Sequence, residues 1–595
     1  MSPPSPHRFS LVLIKPSHYD DDGYVIQWLR SSIPSNTLAV LNGLALDCQE
    51  RRVLGDDVAI EISAFDETNT RIKPERIARQ IAQAGGRGMV ALVGVQSNHY
   101  PRAMDIARRF RALGVQVCLG GFHVSGCLAM LPDLPPELKE AMDLGVSLFA
   151  GEAEGRLETV LRDAWNGALK PLYNYMDDLP SLEGAVIPIL PAAQIKRTGG
   201  SITSFDAGRG CPFLCSFCTI INVQGRKSRR RSADDVEKIV RQNVAQGVKR
   251  FFVTDDNFAR NTDWEKIFDR LIELRQEKLD IRFVIQVDTM CYRLPHFIEK
   301  AARAGVVRVF IGLENINPDN LAGAKKKQNK ITEYRKMLLQ WKHAGVTVIA
   351  GYILGFPSDT PESIRRDISI VQRELPIDLL QFVCLTPLPG SEDHQTLYKA
   401  GVPMDPDLNK YDVEHVTTDH PRMSKEQWQQ AYRDAWGAFY SREHFETVMR
   451  RAEATNSGPG KVLTQLIWSY CSVILENVHP YQGGYLRRKY RKDRRPHLPV
   501  ENALGFYYRY VTGVVYKHFK LAQAIWRFRP FAVKLRRDPA ARHYMDAALT
   551  PVADEEFDSF ELFTGSDAAK SEVLKMRGHA PAPAPGKSTL VKIGN

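Results

Sequence analysis

The stretch Ser204-Phe-Asp-Ala-Gly-Arg-Gly-Cys211-Pro-Phe-Leu-Cys215-Ser-Phe-Cys218 decides the fold and the chemistry of this 595-residue chain. Its three cysteines follow an apolar β-type run and two glycines that permit a tight turn. Thiolates gathered this closely repel each other, so such a loop is typically paired with a cation or a cluster. Structural zinc takes four ligands, and the next cysteine and histidine, Cys291 and His296, are distant. The pattern favours a 4Fe–4S cluster with one open iron, with zinc or an incidental buried trio as alternatives.

With aromatic Phe217 just before the last cysteine, Cys211-x-x-x-Cys215-x-x-Cys218 resembles the signature loop of radical S-adenosylmethionine (SAM) enzymes. The resemblance implies that the three cysteines hold a 4Fe–4S cluster whose open iron binds SAM. It also implies that the reduced cluster splits SAM into methionine and a 5′-deoxyadenosyl radical, with Phe217 near the adenine. A flavodoxin- or ferredoxin-like electron donor is the partner that this resemblance implies.

The bulk composition predicts a soluble globular protein of two or three domains, with 44% apolar and 25% charged residues. Nine cysteines in so long a chain do not form a disulfide framework, which predicts that the protein resides in the reducing cytoplasm. The amino terminus lacks an apolar signal-peptide core, and no apolar run reaches transmembrane length. The net charge of +11 invites an anionic partner, and charge alone does not choose among nucleic acid, lipid headgroups and an acidic substrate.

Strands alternate with helices over residues 1–170, which predicts an α/β domain with a doubly wound, Rossmann-like parallel sheet. Gly120-Gly121 ends one of the strands, at the sheet edge where such folds bind ligands. This half resembles the cobalamin-binding domain fused ahead of many radical SAM enzymes, and Gly120 and Gly121 match the glycine pair that approaches the nucleotide tail. The cobalt-ligating D-x-H-x-x-G motif is absent, so we expect any bound cobalamin to lack a protein histidine on its lower face. The alternatives are a plain tight turn at the glycines and a satisfied surface histidine at His123.

Residues 171–200 are rich in proline, leucine and glycine and are predicted to be a linker. Longer strand–helix units fill residues 201–400, with candidate strands at 201–206, 248–254, 281–287, 306–313, 346–354 and 379–385. Six such units in series predict a partial (β/α)6, TIM-like barrel whose reactive residues lie at the carboxyl ends of the strands.

Those strand ends carry further candidate cofactor-binding residues. By the same resemblance, Asp255, Asp256 and Asn257 stand where the amino group of SAM is bound, although a helix N-cap is an equal alternative for this stretch. Glu314 matches the carboxylate that accepts the ribose hydroxyls, and Gly351 and Gly355 match the glycines that back the adenine. The lysines at 325–327 are predicted to be a solvated helix face, with an approach to the SAM carboxylate as the alternative.

Residues 401–564 are predicted to be a helical carboxyl-terminal region, and residues 565–595 a disordered tail. Helices are expected at 425–449, 462–477 and 502–525. The basic stretch 487–495 precedes a run of aromatic residues. This combination favours a helical cap first, then peripheral contact with an anionic membrane at the inner membrane face, and RNA binding last.

The favoured function is that of a cytoplasmic radical SAM methyltransferase, in which SAM supplies the radical and methylcobalamin donates a methyl group to an unreactive carbon of a small-molecule or lipid-like substrate. The first alternative is a radical cyclase, oxidase or rearrangement enzyme without methyl transfer. A non-catalytic iron–sulfur or zinc nucleic-acid-binding protein is the alternative from another class, and it leaves the SAM-type strand ends unexplained.

Overall fold

The fold was analysed in a computed structural model, which describes residues 7–551 and 554–578. Two six-stranded parallel sheets organise the chain, one in each of its first two thirds. No helix within the described ranges combines the length and the apolar character that crossing a bilayer requires. The predicted α/β class with parallel sheets is confirmed.

The first sheet has the strand order β3-β1-β4-β5-β6-β7. It is doubly wound because the chain moves outward from β1 in both directions, and every neighbouring pair is parallel. Leu172–Asn174 extends the sheet beyond the predicted boundary at 170, since its residues pair with Leu148–Ala150. The strands in this half of the chain are β1 (His7–Lys15), β2 (Gln27–Ser31), β3 (Val58–Asp66), β4 (Gly88–Leu92), β5 (Gln116–Gly120), β6 (Val146–Ala150) and β7 (Leu172–Asn174).

Amphipathic helices cover both faces of this sheet because their apolar residues recur at helical spacing. Helix α2, for example, buries Ile77 and Ile81, four residues apart, and exposes its charged residues. The helices up to the second sheet are α1 (Asn36–Glu50), α2 (Pro74–Gln83), α3 (Tyr100–Ala112), α4 (Phe122–Met130), α5 (Pro136–Asp143), α6 (Leu157–Trp165) and α7 (Ala192–Ile195).

The second sheet runs β8-β11-β12-β13-β14-β15, in the order of the sequence. Parallel neighbours connected by helices in this order form the wall of a partial barrel, as predicted. Each of the six candidate strands is present within two residues of its expected bounds. The strands are β8 (Ile202–Phe205), β9 (Gly208–Arg209), β10 (Arg229–Arg230), β11 (Arg250–Val253), β12 (Arg282–Val287), β13 (Val306–Glu314), β14 (Thr347–Leu354) and β15 (Leu379–Cys384), of which β9 and β10 form a separate antiparallel pair.

The helices of this second half lie between its strands. They are α8 (Ile220–Val223), α9 (Ala233–Ala245), α10 (Trp264–Gln276), α11 (Phe297–Ala304), α12 (Pro318–Gly323), α13 (Ile331–His343), α14 (Pro361–Glu374) and α15 (Glu392–Lys399). One continuous hydrophobic core joins the two sheets, because Leu38 of α1 and Phe205 of β8 belong to the same buried cluster.

The carboxyl-terminal region is helical, with two corrections. The expected helix 425–449 is broken at Tyr440, because Ser441 caps a new helix by accepting from the backbone N–H of His444. The predicted disordered tail contains a helix at Asp567–Met576, and residues 579–595 lie outside the described residues. The elements are α16 (Lys425–Phe439), α17 (Arg442–Ala454), α18 (Pro459–Tyr470) continued by the π-helix Cys471–Leu475, β16 (Gly484–Arg488), α19 (Ala503–Arg537), α20 (Glu561–Thr564) and α21 (Asp567–Met576).

Strand β16 returns to the first half of the chain and pairs antiparallel with β2. Gly484 makes this close approach possible, since a Cβ there would lie 2.1 Å from Cγ of Trp28. The carboxyl-terminal region is therefore joined to the amino-terminal domain as well as to the barrel.

Candidate active site

The three clustered cysteines lie on the loop that links β9 to α8. Cys215 is buried and accepts a hydrogen bond from Nε2 of Gln328 at 3.5 Å. Burial and the neighbouring Asp256 and Cys215 raise the pKa of the Cys218 thiol to about 12. Burial likewise raises the pKa of Cys211. Three thiols on one loop are a donor set that fits a cationic cluster, because bound iron would compensate the thiolate charge.

Glycines allow the cysteine loop to turn at this point. Gly210 has φ +92°, and a Cβ there would lie 2.5 Å from the carbonyl oxygen of Lys227. A Cβ at Gly208 would lie 3.0 Å from Oδ2 of Asp255. Gly210 therefore needs glycine for backbone reasons, as the sequence predicted, and Gly208 is in close contact with its neighbours.

Two of the predicted amino-group ligands, Asp255 and Asp256, follow β11. Asp255 is buried and accepts a hydrogen bond from the backbone N–H of Ala207 at 2.7 Å, which braces the start of the cysteine loop. Burial raises the pKa of each aspartate to about 7. Asp256 is only partly buried and lies near Cys218. Asp256 is thus the better placed of the two to meet a cation bound beside the cysteines.

Asn257, the third predicted ligand of the SAM amino group, makes its side-chain hydrogen bonds to another residue of the protein. Its Nδ2 donates to Oδ2 of Asp288 at 2.8 Å, and Asp288 also receives two hydrogen bonds from the guanidinium of Arg260. The alternative of a helix N-cap is not observed at Asn257, because its side chain makes no capping hydrogen bond to the short helix Phe258–Arg260. The network instead ties the carboxyl ends of β11 and β12 together.

Glu314 lies at the carboxyl end of β13 in the left-handed backbone region, with φ +64°. Its Oε1 accepts from Nζ of Lys326 at 2.6 Å, and the two side chains are 12% and 11% exposed. Burial lowers the pKa of Lys326, but Glu314 and the cysteines more than offset this and raise it above its ordinary value. Nζ of Lys326 also lies 5.7 Å from the ring centroid of Phe217. Lys326 therefore faces the site, and the predicted solvated lysine face is wrong at this position.

Gly351 lies on β14 and Gly355 directly after it. Close packing against neighbouring side chains accounts for glycine at both positions without a bound ligand. A Cβ at Gly351 would lie 2.8 Å from Cζ of Phe310, and one at Gly355, with φ +100°, would lie 1.9 Å from Cζ2 of Trp428. Their predicted role behind the adenine stays a prediction. The sequence missed the turn after Gly355, where Oδ2 of Asp359 accepts from the backbone N–H groups of Gly355 and Phe356.

Gly120 and Gly121 lie at the carboxyl edge of the first sheet, as expected. A Cβ at Gly121, with φ +151°, would lie 2.2 Å from the backbone nitrogen of Val95. With Gly94 and Gly151 the pair forms part of the wall of a cavity of about 170 Å³. These four glycines place backbone in the part of the wall at the sheet edge, so a group in the cavity can approach that edge closely.

A larger chamber of about 520 Å³ lies between the two sheets. Asn36, Thr37 and Gly94 line it from the first half of the chain and also line the smaller cavity. Thr254 after β11 and Thr219, which directly follows Cys218, line it from the barrel. The chamber thus borders the glycine-walled cavity, the barrel mouth and Thr219 at the end of the cysteine loop.

Histidines are placed differently from the prediction. His123 is fully buried rather than a surface residue, because α4 packs under the barrel loop at Pro389. His18, His99 and His479 line the chamber, and burial lowers the pKa of each. All three side chains are therefore neutral at ordinary pH.

The basic stretch 487–495 packs onto the first half of the chain. Arg487 is 4% exposed in its side chain and pairs with Asp20, and Lys489 pairs with Asp20 and Asp22. Arg495 makes two hydrogen bonds to Asp407. Most of these charged side chains make contacts within the protein, so the stretch does not form a free basic surface.

The sequence comparisons agree with this geometry. Residues 206–370 match the family model described as the Radical SAM superfamily. The chain is 28% identical over 348 residues to the bacteriochlorophyllide d C-8(2)-methyltransferase of Chlorobaculum tepidum, covering 55% of this chain and 72% of that protein. It is 25% identical over 356 residues to the hopanoid C-2 methylase of Rhodopseudomonas palustris, covering 56% of this chain and 65% of that protein.

Among solved structures, the chain is similar in fold to OxsB, described as a cobalamin-dependent S-adenosylmethionine radical enzyme. The structure with aqua-cobalamin and S-adenosylmethionine bound superposes with a TM-score of 0.50 at 12% identity, covering 91% of this chain and 82% of that one. At this identity the similarity concerns the fold alone.

Proposed function

This chain is a radical SAM enzyme, and we propose that it is a cobalamin-dependent methyltransferase acting on an unactivated carbon. The single observation that carries the proposal is the chamber onto which both sheets open at their carboxyl ends. A methyl donor held at the glycine-walled edge and a radical generated beside the cysteines would reach one substrate in that space. The methyltransferase relatives and the Radical SAM match support the same assignment.

We assign the cofactors to residues by their chemistry. Cys211, Cys215 and Cys218 hold a 4Fe–4S cluster, for which the three thiols of this partly buried loop are a suitable donor set. SAM lies against Asp256, Glu314 and Phe217. When bound, the cluster and SAM supply a hydrogen-abstracting radical, and cobalamin supplies the methyl group.

Side chains of the protein orient SAM by pairing each of its charged groups with a group of opposite charge. Asp256 offers a carboxylate to the amino group, and Lys326 offers an ammonium to the carboxylate. Because Lys326 already neutralises Glu314 at 2.6 Å, the Glu314 carboxylate is held in place to accept hydrogen bonds from ribose hydroxyls. Gly94, Gly120 and Gly121 would give cobalamin close access to the first sheet, since their backbone walls the adjoining cavity.

The function is tested with protein reconstituted anaerobically. We expect about four irons per chain, reductive cleavage of SAM to 5′-deoxyadenosine, and binding of a corrinoid. Cys215→Ala is expected to abolish the cluster and SAM cleavage, whereas Cys48→Ala, at an isolated buried cysteine, retains both. Stoichiometric zinc without iron uptake would refute the radical SAM assignment at this loop. SAM cleavage without corrinoid binding would instead favour radical chemistry without methyl transfer.

We also propose that the substrate is lipid-like and that the protein meets an anionic membrane through α19. An apolar stripe recurs along this helix at Leu504, Tyr508, Val511, Val515, Phe519 and Trp526, and each of these side chains is more than half exposed. The same 35 residues contain no Asp or Glu and eight basic residues, Arg509, Lys517, Lys520, Arg527, Arg529, Lys534, Arg536 and Arg537. Apolar side chains interspersed with positive charge complement the surface of an anionic bilayer.

Vesicle co-sedimentation tests the membrane contact. Binding to vesicles that contain phosphatidylserine is expected at low salt, with part of it retained at high salt through the aromatic residues. Tyr508→Ser with Trp526→Ser should reduce binding by about a hundredfold or more, since each fully inserted aromatic side chain contributes on the order of 1.5–3 kcal/mol. Leu46→Ser, at an exposed leucine of α1, is the matched control. Equal binding of both variants would refute the proposal.

A further inference from the structure

A second group of metal-ligating side chains lies away from the cysteine loop. His123 and Cys127 are four residues apart on α4, so they share one face of the helix. Glu137 lies in the first turn of α5. The ligand atoms of the three residues, a ring nitrogen, a sulfur and a carboxylate oxygen, all lie within 4.8 Å of one another. The turn between two neighbouring helices thus gathers one nitrogen, one sulfur and one oxygen donor.

The histidine ring is oriented but left without a partner on one side. Its Nδ1 lies 3.1 Å from Oγ of Ser97, while its Nε2 is buried with no hydrogen-bond partner and lies 3.7 Å from Oε1 of Glu137. The whole residue is 0% exposed. A buried polar atom without a partner costs about 1–3 kcal/mol. The ring is therefore held so that a free nitrogen points toward the carboxylate and the thiol.

This arrangement matches the coordination chemistry of zinc. Zinc binds histidine nitrogen, cysteine sulfur and carboxylate oxygen at about 2.0–2.3 Å, so its ligand atoms stand about 3–4 Å apart in a tetrahedron. A metal-binding histidine usually makes a hydrogen bond through its other ring nitrogen, as His123 does to Ser97. Burial raises the pKa of the Cys127 thiol, and a bound cation would compensate the charge of its thiolate.

The proposed metal site is also accessible to water, which can supply a fourth ligand. The side chain of Glu137 is 31% exposed and lines an open surface pocket beside Asp105 and Arg108. Water can therefore reach the group from the Glu137 side and occupy the remaining coordination position. Cys127 and His123 themselves are closed off from solvent.

We propose that His123, Cys127 and Glu137 bind one zinc ion that fastens α4 to α5. Helix α4 begins directly after Gly121 and packs against the barrel, since a Cβ at Gly126 would lie 2.4 Å from the carbonyl oxygen of Pro389. The ion would thus fix the helix that connects the glycine-walled cavity with the barrel loop. This site is separate from the cysteine loop, and its existence does not depend on the proposed methyl transfer.

Zinc content of the full-length protein tests the proposal. The protein is equilibrated with zinc after its cluster has been reconstituted, dialysed, and assayed separately for iron and zinc. We expect about one zinc per chain in the wild type and its loss in Cys127→Ser. Cys118→Ser is the matched control, because Cys118 is also a buried cysteine of the first domain and has no such partners. A wild-type protein that retains no zinc would overturn the proposal, as would equal zinc in the two serine variants.

A second variant covers the case in which Cys127→Ser fails to fold. Glu137→Gln changes a partly exposed side chain and keeps its shape, so the fold should survive. Added zinc is expected to raise the melting temperature of the wild type and to raise it much less for Glu137→Gln. The same zinc-dependent rise in both proteins would refute a role for the carboxylate and with it the proposed site.

Discussion

Replacing Lys326 by methionine tests the electrostatic design of the site. In the wild type its Nζ lies 2.6 Å from Oε1 of Glu314, and both side chains are almost buried, at 11% and 12% exposure. Removing one partner of a buried ion pair leaves the other charge uncompensated and costs about 3–5 kcal/mol. We therefore expect Lys326→Met to lower the free energy of unfolding by that amount.

The neighbouring residue provides the control for this substitution. Lys325 pairs with Glu392, but those side chains are 47% and 43% exposed. An exposed pair contributes about 0–1 kcal/mol, so Lys325→Met should change stability little although it removes the same charge one residue away. Anaerobic urea titrations followed by tryptophan fluorescence measure both variants. A loss of stability in Lys326→Met no larger than that in Lys325→Met would refute the reasoning.

The same variant reports on cofactor binding. If Lys326 binds the carboxylate of SAM, its removal deletes a charge-assisted hydrogen bond of about 1.5–3 kcal/mol. Calorimetric titration with SAM should then show binding about 10- to 150-fold weaker than in the wild type, with Lys325→Met unchanged. Unchanged SAM affinity in Lys326→Met would show that the lysine does not bind SAM and that its role is the ion pair with Glu314.

Three further predictions follow from burial and backbone geometry. Cys215→Ala should yield protein without cluster iron and without the visible absorbance of the cluster, and a retained cluster would contradict its role as a ligand. Gly355→Ala should destabilise the protein by about 2–5 kcal/mol in denaturant titrations because it combines a left-handed backbone with a collision against Trp428, whereas Gly437→Ala, whose Cβ meets no neighbour, should not. Stability of cluster-free Cys215→Ala protein should fall as the pH drops from about 6.5 to about 4, because burial lowers the pKa to about 4 for His18, His394 and His479. Burial also lowers the pKa of His123 and His444 to about 3, so five such histidines outweigh the opposite contribution of Asp255, Asp256 and Asp367, whose pKa values burial raises to about 7, about 7 and about 6. Over that range the unfolded chain therefore binds more protons than the folded protein, and a flat stability profile would contradict the burial of these rings.

Local patterns in the sequence were sufficient to predict both sheets and the cysteine loop. Each barrel strand is a short apolar run bounded by turn residues, and its partner is the next strand along the chain. The cysteines lie within one loop, so their proximity does not depend on distant folding. For the same reason the glycine pair Gly120-Gly121 could be placed at a sheet edge from its position after a strand.

Long-range contacts account for what the sequence did not predict. Lys326 was predicted on a solvated face, and only the return of the chain beside β13 brings it to Glu314. His123 has no local sign of burial, since the barrel loop that covers α4 lies more than 260 residues further along. Arg487, Lys489 and Arg495 likewise find their acidic partners at residues 20, 22 and 407, beyond any local window.

The pairing of β2 with β16 has a consequence for how the protein is made. Ser31 pairs in register with Gly484. Strand β2 therefore cannot form this pairing until its partner strand has been synthesised 453 residues later. At translation rates of about 5–20 residues per second, this interval lasts roughly 20–90 seconds. During that time Trp28, which is buried in the finished protein against Gly484, has no cover. The nascent amino-terminal domain therefore presents an unpaired strand and an exposed tryptophan to chaperones until the carboxyl-terminal region leaves the ribosome.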